Sequence, residues 1–147
     1  MRLAMWSGPR NLSTALMYSF AQRADTCVYD EPLYAHYLSK TDADEYHPGA
    51  QKVLDTMEHD GNKVIEMMLG AHDRPVAFFK HMTHHLVELD WGFMSEMVNV
   101  ILTRDPVDML PSYAKEVAQP TMRDVGYAKH LDLIEYLEEK GLPAPFV

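Results

Sequence analysis

One cysteine, Cys27, stands in 147 residues. A disulfide framework within the chain and a multi-cysteine zinc site are both excluded. In its apolar, strand-like surroundings Cys27 reads as a small core residue. Basic residues are also scarce, with 13 Lys plus Arg against 22 Asp plus Glu and a net charge of −9. Binding along a nucleic-acid backbone needs a basic face, so no nucleic acid is expected as a partner. An anionic small molecule stays open, provided its positive charge is supplied locally. Each basic residue in a loop is then more informative than usual. No apolar run reaches the roughly 18 residues that span a bilayer, and Leu3 to Trp6 is too short for a signal-peptide core. The expectation is a cytoplasmic protein with no membrane partner.

What is present is the balance of a globular protein, 47% hydrophobic and 24% charged. The length fits one domain with an ordinary core. Leu3 to Trp6 reads as a buried strand ended by Ser-Gly-Pro. Leu12, Ala15, Leu16, Ser19 and Phe20 then fall on one face of a helix. Further strands are predicted at Thr26 to Tyr29, Pro75 to Phe79 and Val98 to Thr103. Residues 38 to 50 read as a loop, with helices over Gln51 to His59, Asn62 to Leu69 and Leu86 to Met97, and a break at Gly61. Asp105 is a predicted N-cap with Pro106 at the first helical position, and Val107, Leu110, Ala114 and Val117 form that helix's apolar stripe. A last helix is predicted from Met122 to Lys140, with Thr121 and Asp124 spaced like a capping box. Strands alternating with helices predict an α/β fold with a parallel, doubly wound sheet flanked by helices. Ligands of such sheets sit at the carboxyl ends of the strands. Pro143 to Val147 reads as the start of a further strand, so the chain is expected to be the N-terminal part of a longer protein, a single domain over 1–147 that is incomplete at its C-terminus.

Two motifs lie at predicted strand ends. In the first, a glycine-containing turn between strand and helix aims backbone N–H groups and the positive helix end at one point. Arg10 adds a planar fork of donors suited to phosphate or sulfate, and Ser13 and Thr14 bring hydroxyls into the first turn. It is not a Walker loop, since Gly-x-x-x-x-Gly-Lys-Ser/Thr is absent and no lysine occupies it. In the second, Arg104 leaves the strongest predicted strand and Ser112 follows eight residues later, a pair able to hold a second anion.

The segment Ser7-Gly8-Pro9-Arg10-Asn11-Leu12-Ser13-Thr14 resembles the 5′-phosphosulfate loop of the sulfotransferase family. Thr103-Arg104-Asp105-Pro106-Val107-Asp108 with Ser112 resembles that family's 3′-phosphate motif, including the Arg-to-Ser spacing. With Phe79-Lys80-His81-Met82 between them, the similarity covers about residues 2 to 118 and is nearest the small bacterial type. It implies a P-loop-like fold, as in the P-loop NTPases, that binds 3′-phosphoadenosine 5′-phosphosulfate and transfers its sulfuryl group to a hydroxyl or amine of a small-molecule or carbohydrate acceptor. Carried over by position, Gly8 to Thr14 form the donor loop, with Arg10 on the bridging and terminal oxygens and Ser13 and Thr14 on the 5′-phosphate. Arg104 and Ser112 hold the 3′-phosphate. Lys80 faces the leaving bridge oxygen, and no metal is required, because the transferred group carries little charge.

Two sources of a base stay open. Glu31, in Tyr29-Asp30-Glu31-Pro32, resembles the glutamate base of carbohydrate-type sulfotransferases and is preferred. His81, His84 or His85 would match the histidine of the cytosolic type, although that type's Lys-x-His spacing is not kept. The three histidines also invite a metal reading, but His-Glu-x-x-His is absent and no metal is expected. The family's basic, glycine-containing lid segment has no counterpart, since Lys140-Gly141 comes too early. A chain truncated there would expose a sheet edge and favour a homo-oligomer. Two alternatives remain: a non-catalytic nucleotide-binding or interaction module, and a P-loop kinase-like enzyme, for which the Walker lysine is missing.

Overall fold

A computed structural model describes residues 1–47, 49–115, 117, 120–142, 144, 145 and 147. Strands and helices alternate: β1 (Arg2–Ser7), α1 (Ser13–Ala21), β2 (Thr26–Asp30), α2 (Tyr34–Lys40), α3 (Ala50–Thr56), α4 (Gly61–Leu69), β3 (Val76–Met82), β4 (Val98–Leu102), α5 (Pro106–Tyr113), α6 (Met122–Val125) and α7 (Tyr127–Glu139). The four strands form one parallel sheet in the order β2-β3-β1-β4. The fold is therefore α/β with a parallel sheet flanked by helices, as the alternation predicts.

Alternate strand residues serve opposite faces. Ala4, Trp6, Ala77, Phe79 and Ile101 point into the larger core, where they meet Val64 and Met68 of α4 and Leu133 and Leu137 of α7. Met5 and Phe78 face the other way and pack with Met17 of α1. Both faces are covered, which is why the strands read as near-continuous apolar runs. Beyond β4, Ile101 N donates to Pro145 O at 3.0 Å, Val147 N to Ile101 O at 2.9 Å, and Thr103 N to Val147 O at 3.1 Å. The described residues of 143–147 thus pair with β4 as the expected further strand would; Pro143 and Phe146 lie outside the described residues.

Several expectations are corrected. Residues 38–50 are not all loop, because α2 runs to Lys40 and a 3-10 turn occupies Ala43–Glu45. Tyr37 and Leu38 of α2 are fully buried against Ala43 and Ala50, and that packing holds the helix. The expected break separates α3, which ends at Thr56, from α4, and Gly61 is the first residue of α4, with the Asp60 side chain accepting from the N–H groups of Asn62 and Lys63. Residues 86–97 form no α-helix. Trp91–Glu96 is a 3-10 helix whose first turn is tied to Asp90, with Phe93 and Met94 anchored in the core. The stripe of α5 is out of phase at Val107 and Leu110, which are exposed, whereas Met109 and Tyr113 are buried against Val125, and Val117 of the expected stripe packs against the same cluster. Asp105 does cap α5, accepting from Val107 N at 2.8 Å. The last helix is divided at Gly126, whose φ of 76° belongs to the left-handed region, and the Thr121–Asp124 capping box starts α6.

Candidate active site

The carboxyl ends of β1, β3 and β4 open into one cleft of about 460 Å³. Its floor is the turn between β1 and α1. Arg10 and Leu12 hold left-handed conformations there, at φ 59° and 61°. Side chains other than glycine rarely adopt them, and such strain gathers where surrounding structure enforces a functional shape. The N-cap of α1 is Leu12, which offers no side-chain acceptor, so no side chain caps the first-turn N–H groups at the cleft.

Two contacts hold the turn in place from behind. Asn11, buried, donates from Nδ2 to Leu102 O at 3.2 Å and ties the turn to the end of β4. Gly8 lies against the α6–α7 junction, where a Cβ would come within 3.0 Å of Val125 O. Gly8 itself does not line the cleft. Pro9, Arg10, Asn11, Leu12, Ser13 and Thr14 all do.

Arg104 and Ser112 enter from β4 and α5. Arg104 Nη1 donates to Arg10 O at 3.2 Å, and Arg10 Nε donates to Ser112 Oγ at 3.0 Å. Tyr127 of α7 steadies the approach by donating to Arg104 O at 2.7 Å. The two predicted anion motifs are therefore halves of one cleft, although they stand about a hundred residues apart in sequence.

The remaining wall is charged. Lys80 comes from β3, and its side chain is 3% exposed. Its Nζ donates to Glu31 Oε1 and lies 3.0 Å from Asp30 Oδ1. Glu31 sits just beyond β2 with φ 48°, a third left-handed residue at the cleft, and its N–H donates to Lys80 O at 2.8 Å. Burial pushes the Glu31 carboxyl above the usual carboxylate range, and the Lys80 ammonium only partly opposes this. Burial alone would pull Lys80 down. Glu31 and then Asp30 more than reverse that, and Lys80 is held above the ordinary lysine value.

Strand parity separates Lys80 from its neighbour. Lys80 and Met82 face the cleft, whereas His81 points into the larger core. There His81 stacks on Trp6 with ring centroids 4.3 Å apart, and neither ring nitrogen has a hydrogen-bond partner among the described residues. Burial, and then the Lys80 charge, pull its pKa down to about 3. His84 and His85 fall in a buried 3-10 turn at Thr83–His85, not on a helix, and pack against Tyr37. The structure thus brings Glu31, Lys80 and Arg10 together and leaves all three histidines outside. Among the described residues, no three His, Cys, Asp or Glu side chains converge as metal ligands would.

The sulfotransferase domain profile matches residues 1–141. This chain belongs to the sulfotransferase family. The sulfotransferase domain is also similar to two proteins of Arabidopsis thaliana, branched-chain-amino-acid aminotransferase-like proteins 1 and 2. It is 40% identical to the first over 140 residues, covering 94% of this chain and 25% of that protein. It is 38% identical to the second over 144 residues, covering 97% of this chain and 25% of that protein. The chain therefore spans about a quarter of the length of these relatives.

Sequence reasoning passed over three neighbours of the cleft. Asp30 was hidden because its link to Lys80 depends on the pairing of β2 with β3, where the two are register partners. Met82 follows from strand parity once Lys80 is known to face the cleft. Tyr34 leaves no sequence signal. Its hydroxyl is pushed up to about 12 by burial and then by the Glu31 charge.

Proposed function

We propose that this sulfotransferase domain binds 3′-phosphoadenosine 5′-phosphosulfate in the cleft and transfers its sulfuryl group to a hydroxyl or amine. The observation that carries the proposal is the meeting of Arg10, Arg104 and Ser112 over an uncapped helix N-terminus, beside a buried Lys80–Glu31 pair. The N–H groups of α1 with Ser13 and Thr14 take the 5′-phosphate. Arg104 and Ser112 take the 3′-phosphate, and Arg10 reaches the oxygens around the sulfur. The acceptor oxygen or nitrogen bonds to sulfur as the sulfur–oxygen bond to the 5′-phosphate breaks. Lys80 offsets charge on the leaving oxygen, and Glu31 takes the acceptor's proton.

Glu31 is preferred over His81 as base because it lines the cleft and its carboxyl is held above the usual range, nearer a working pH. A kinase-like reading is weaker, since no lysine lies in the loop and the acid at the cleft is engaged by Lys80. The acceptor is a small molecule or carbohydrate. A cytoplasmic setting fits the free Cys27, and no helix among the described residues is long and apolar enough to cross a membrane.

Thermal unfolding with 3′,5′-adenosine bisphosphate, ADP and ATP, each with and without magnesium, tests the donor assignment. A ligand at about 100 times its Kd stabilises by about 2.7 kcal/mol. Stabilisation by the bisphosphate without magnesium, lost in Arg104→Ala, is expected. Magnesium-dependent stabilisation by ATP alone would replace this reading with phosphotransfer.

A further inference from the structure

Lys80 has two carboxylate partners, and they are held by different means. Asp30 and Lys80 are direct register partners in adjacent parallel strands, so sheet pairing fixes their approach at 3.0 Å. Glu31 reaches the same ammonium only because its backbone turns into the left-handed region immediately after β2 ends. The first contact is built on the sheet and the second on a strained residue at its edge. Exposure runs the other way: the Lys80 side chain is almost fully buried, that of Glu31 is 18% exposed and that of Asp30 51%.

We propose that Asp30 is a positioning residue: it is the standing partner of Lys80, keeping the ammonium charged and aimed at the cleft when Glu31 turns to the acceptor. This rests on the sulfuryl-transfer reading above. A Glu31 locked to Lys80 cannot also accept a proton from an acceptor, and a buried ammonium that lost its only carboxylate would tend to shed its own proton. Asp30 removes that conflict. An ammonium has three N–H donors. In the resting site Glu31 takes one and Asp30 another, leaving a third for the leaving oxygen of the donor.

During transfer the acceptor O–H or N–H proton passes to Glu31 as the new bond to sulfur forms. The sulfur–oxygen bond of the donor breaks, and its electron pair stays on the 5′-phosphate oxygen. Lys80 hydrogen-bonds that oxygen while Asp30 holds the ammonium from behind. The charges facing Glu31 are Lys80 from β3, Asp30 from the end of its own strand and Arg10 across the cleft, with the titratable Tyr34 of α2 beside it. The Asp30 charge adds to the upward displacement of the Glu31 carboxyl.

Asp30→Asn keeps the shape and removes the charge. Two measurements on the full chain read its effect. The first is an NMR titration of the Lys80 side chain in the ligand-free protein, comparing Glu31→Gln with Asp30→Asn/Glu31→Gln. Lys80 is expected to stay at or above its ordinary value in the single variant and to fall by about one unit or more, tenfold in protonation, in the double variant. Identical titrations would overturn the proposal, and this result needs no substrate. The second is the pH profile of sulfuryl transfer. Asp30→Asn should lower kcat about tenfold and move the acid limb to lower pH, with bisphosphate affinity unchanged. An unchanged profile and kcat would also overturn it. A wild-type chain that binds no bisphosphate would instead sink the sulfuryl-transfer reading, and the Lys80 titration separates the two failures.

Discussion

On one face of β3, Lys80 lies in the cleft beside the β1–α1 turn, its ammonium facing the carboxylates of Glu31 and Asp30. On the opposite face, one residue on, His81 lies flat against Trp6 with no partner for either nitrogen. Both side chains are buried, yet their surroundings act on ionisation in opposite ways. At Lys80 two carboxylates outweigh the cost of burial and hold the cation charged; at His81, among aromatic rings, burial strips the charge away. Burial alone thus says little about chemical role. The face of the sheet on which a titratable group lands decides whether it can act on a ligand.

The largest effect that would sharpen this contrast comes from Glu31→Gln. On the proposed mechanism, loss of the Glu31 base should lower kcat by about 10²–10⁴. Bisphosphate affinity should hold, since Arg10, Arg104 and Ser112 are untouched. His81→Leu, adjacent to Lys80 in sequence but across the sheet from the cleft, should change kcat by no more than about twofold. Initial rates with each variant decide the matter. A large loss in His81→Leu with little in Glu31→Gln would move the base to the core face and break the comparison.

An effect of intermediate size concerns acid. His81 and His84 sit at about 3 in the folded protein, below the ordinary value of 6.5. Their unfolded forms bind protons first as pH falls, so the stability they contribute is complete above about 6.5 and drains away between there and about 3. Each histidine should contribute a slope of about 1.4 kcal/mol per pH unit in that window. Glu31 works with the opposite sign: its raised value contributes stability below the ordinary carboxylate range that is lost as pH rises through it. Denaturant melts from pH 7 to pH 4 should therefore show falling stability, and His81→Leu should flatten the fall. An equally steep decline in that variant would mean that His81 finds a proton-accepting partner when it titrates.

Legibility in the sequence follows the same division. Strand runs and the placing of two cation-and-hydroxyl motifs at strand ends are readable because each rests on local chemistry: apolar runs between turn residues, and polar groups just beyond them. The Lys80–Asp30 contact was not, since it arises from the pairing of β2 with β3, which no local pattern encodes. The three histidines look alike in sequence, and only strand parity and the compact turn at Thr83–His85 show that they face away from the cleft. Helix phase fails in the same manner at α5. A stripe through Val107, Leu110, Ala114 and Val117 fits helical spacing, but Met109 and Tyr113 fit it as well, and packing against Val125 chose the latter pair.

That choice yields the smallest effect. Val107 follows Pro106 in the first turn of α5, close in sequence to Arg104, yet its side chain is 77% exposed. Replacing an exposed apolar side chain removes little buried area, and surface substitutions of this kind stay within about 0.5 kcal/mol. Val107→Ser should accordingly leave both the unfolding midpoint and bisphosphate affinity nearly unchanged. The N-cap contact from Asp105 uses the backbone N–H of residue 107, which serine keeps. A loss of about 2 kcal/mol or more, the scale of a buried aliphatic side chain, would show that Val107 is covered in solution. In that case the stripe read from the sequence would describe a surface that meets something beyond the described residues, and the cleft would have a neighbour along α5.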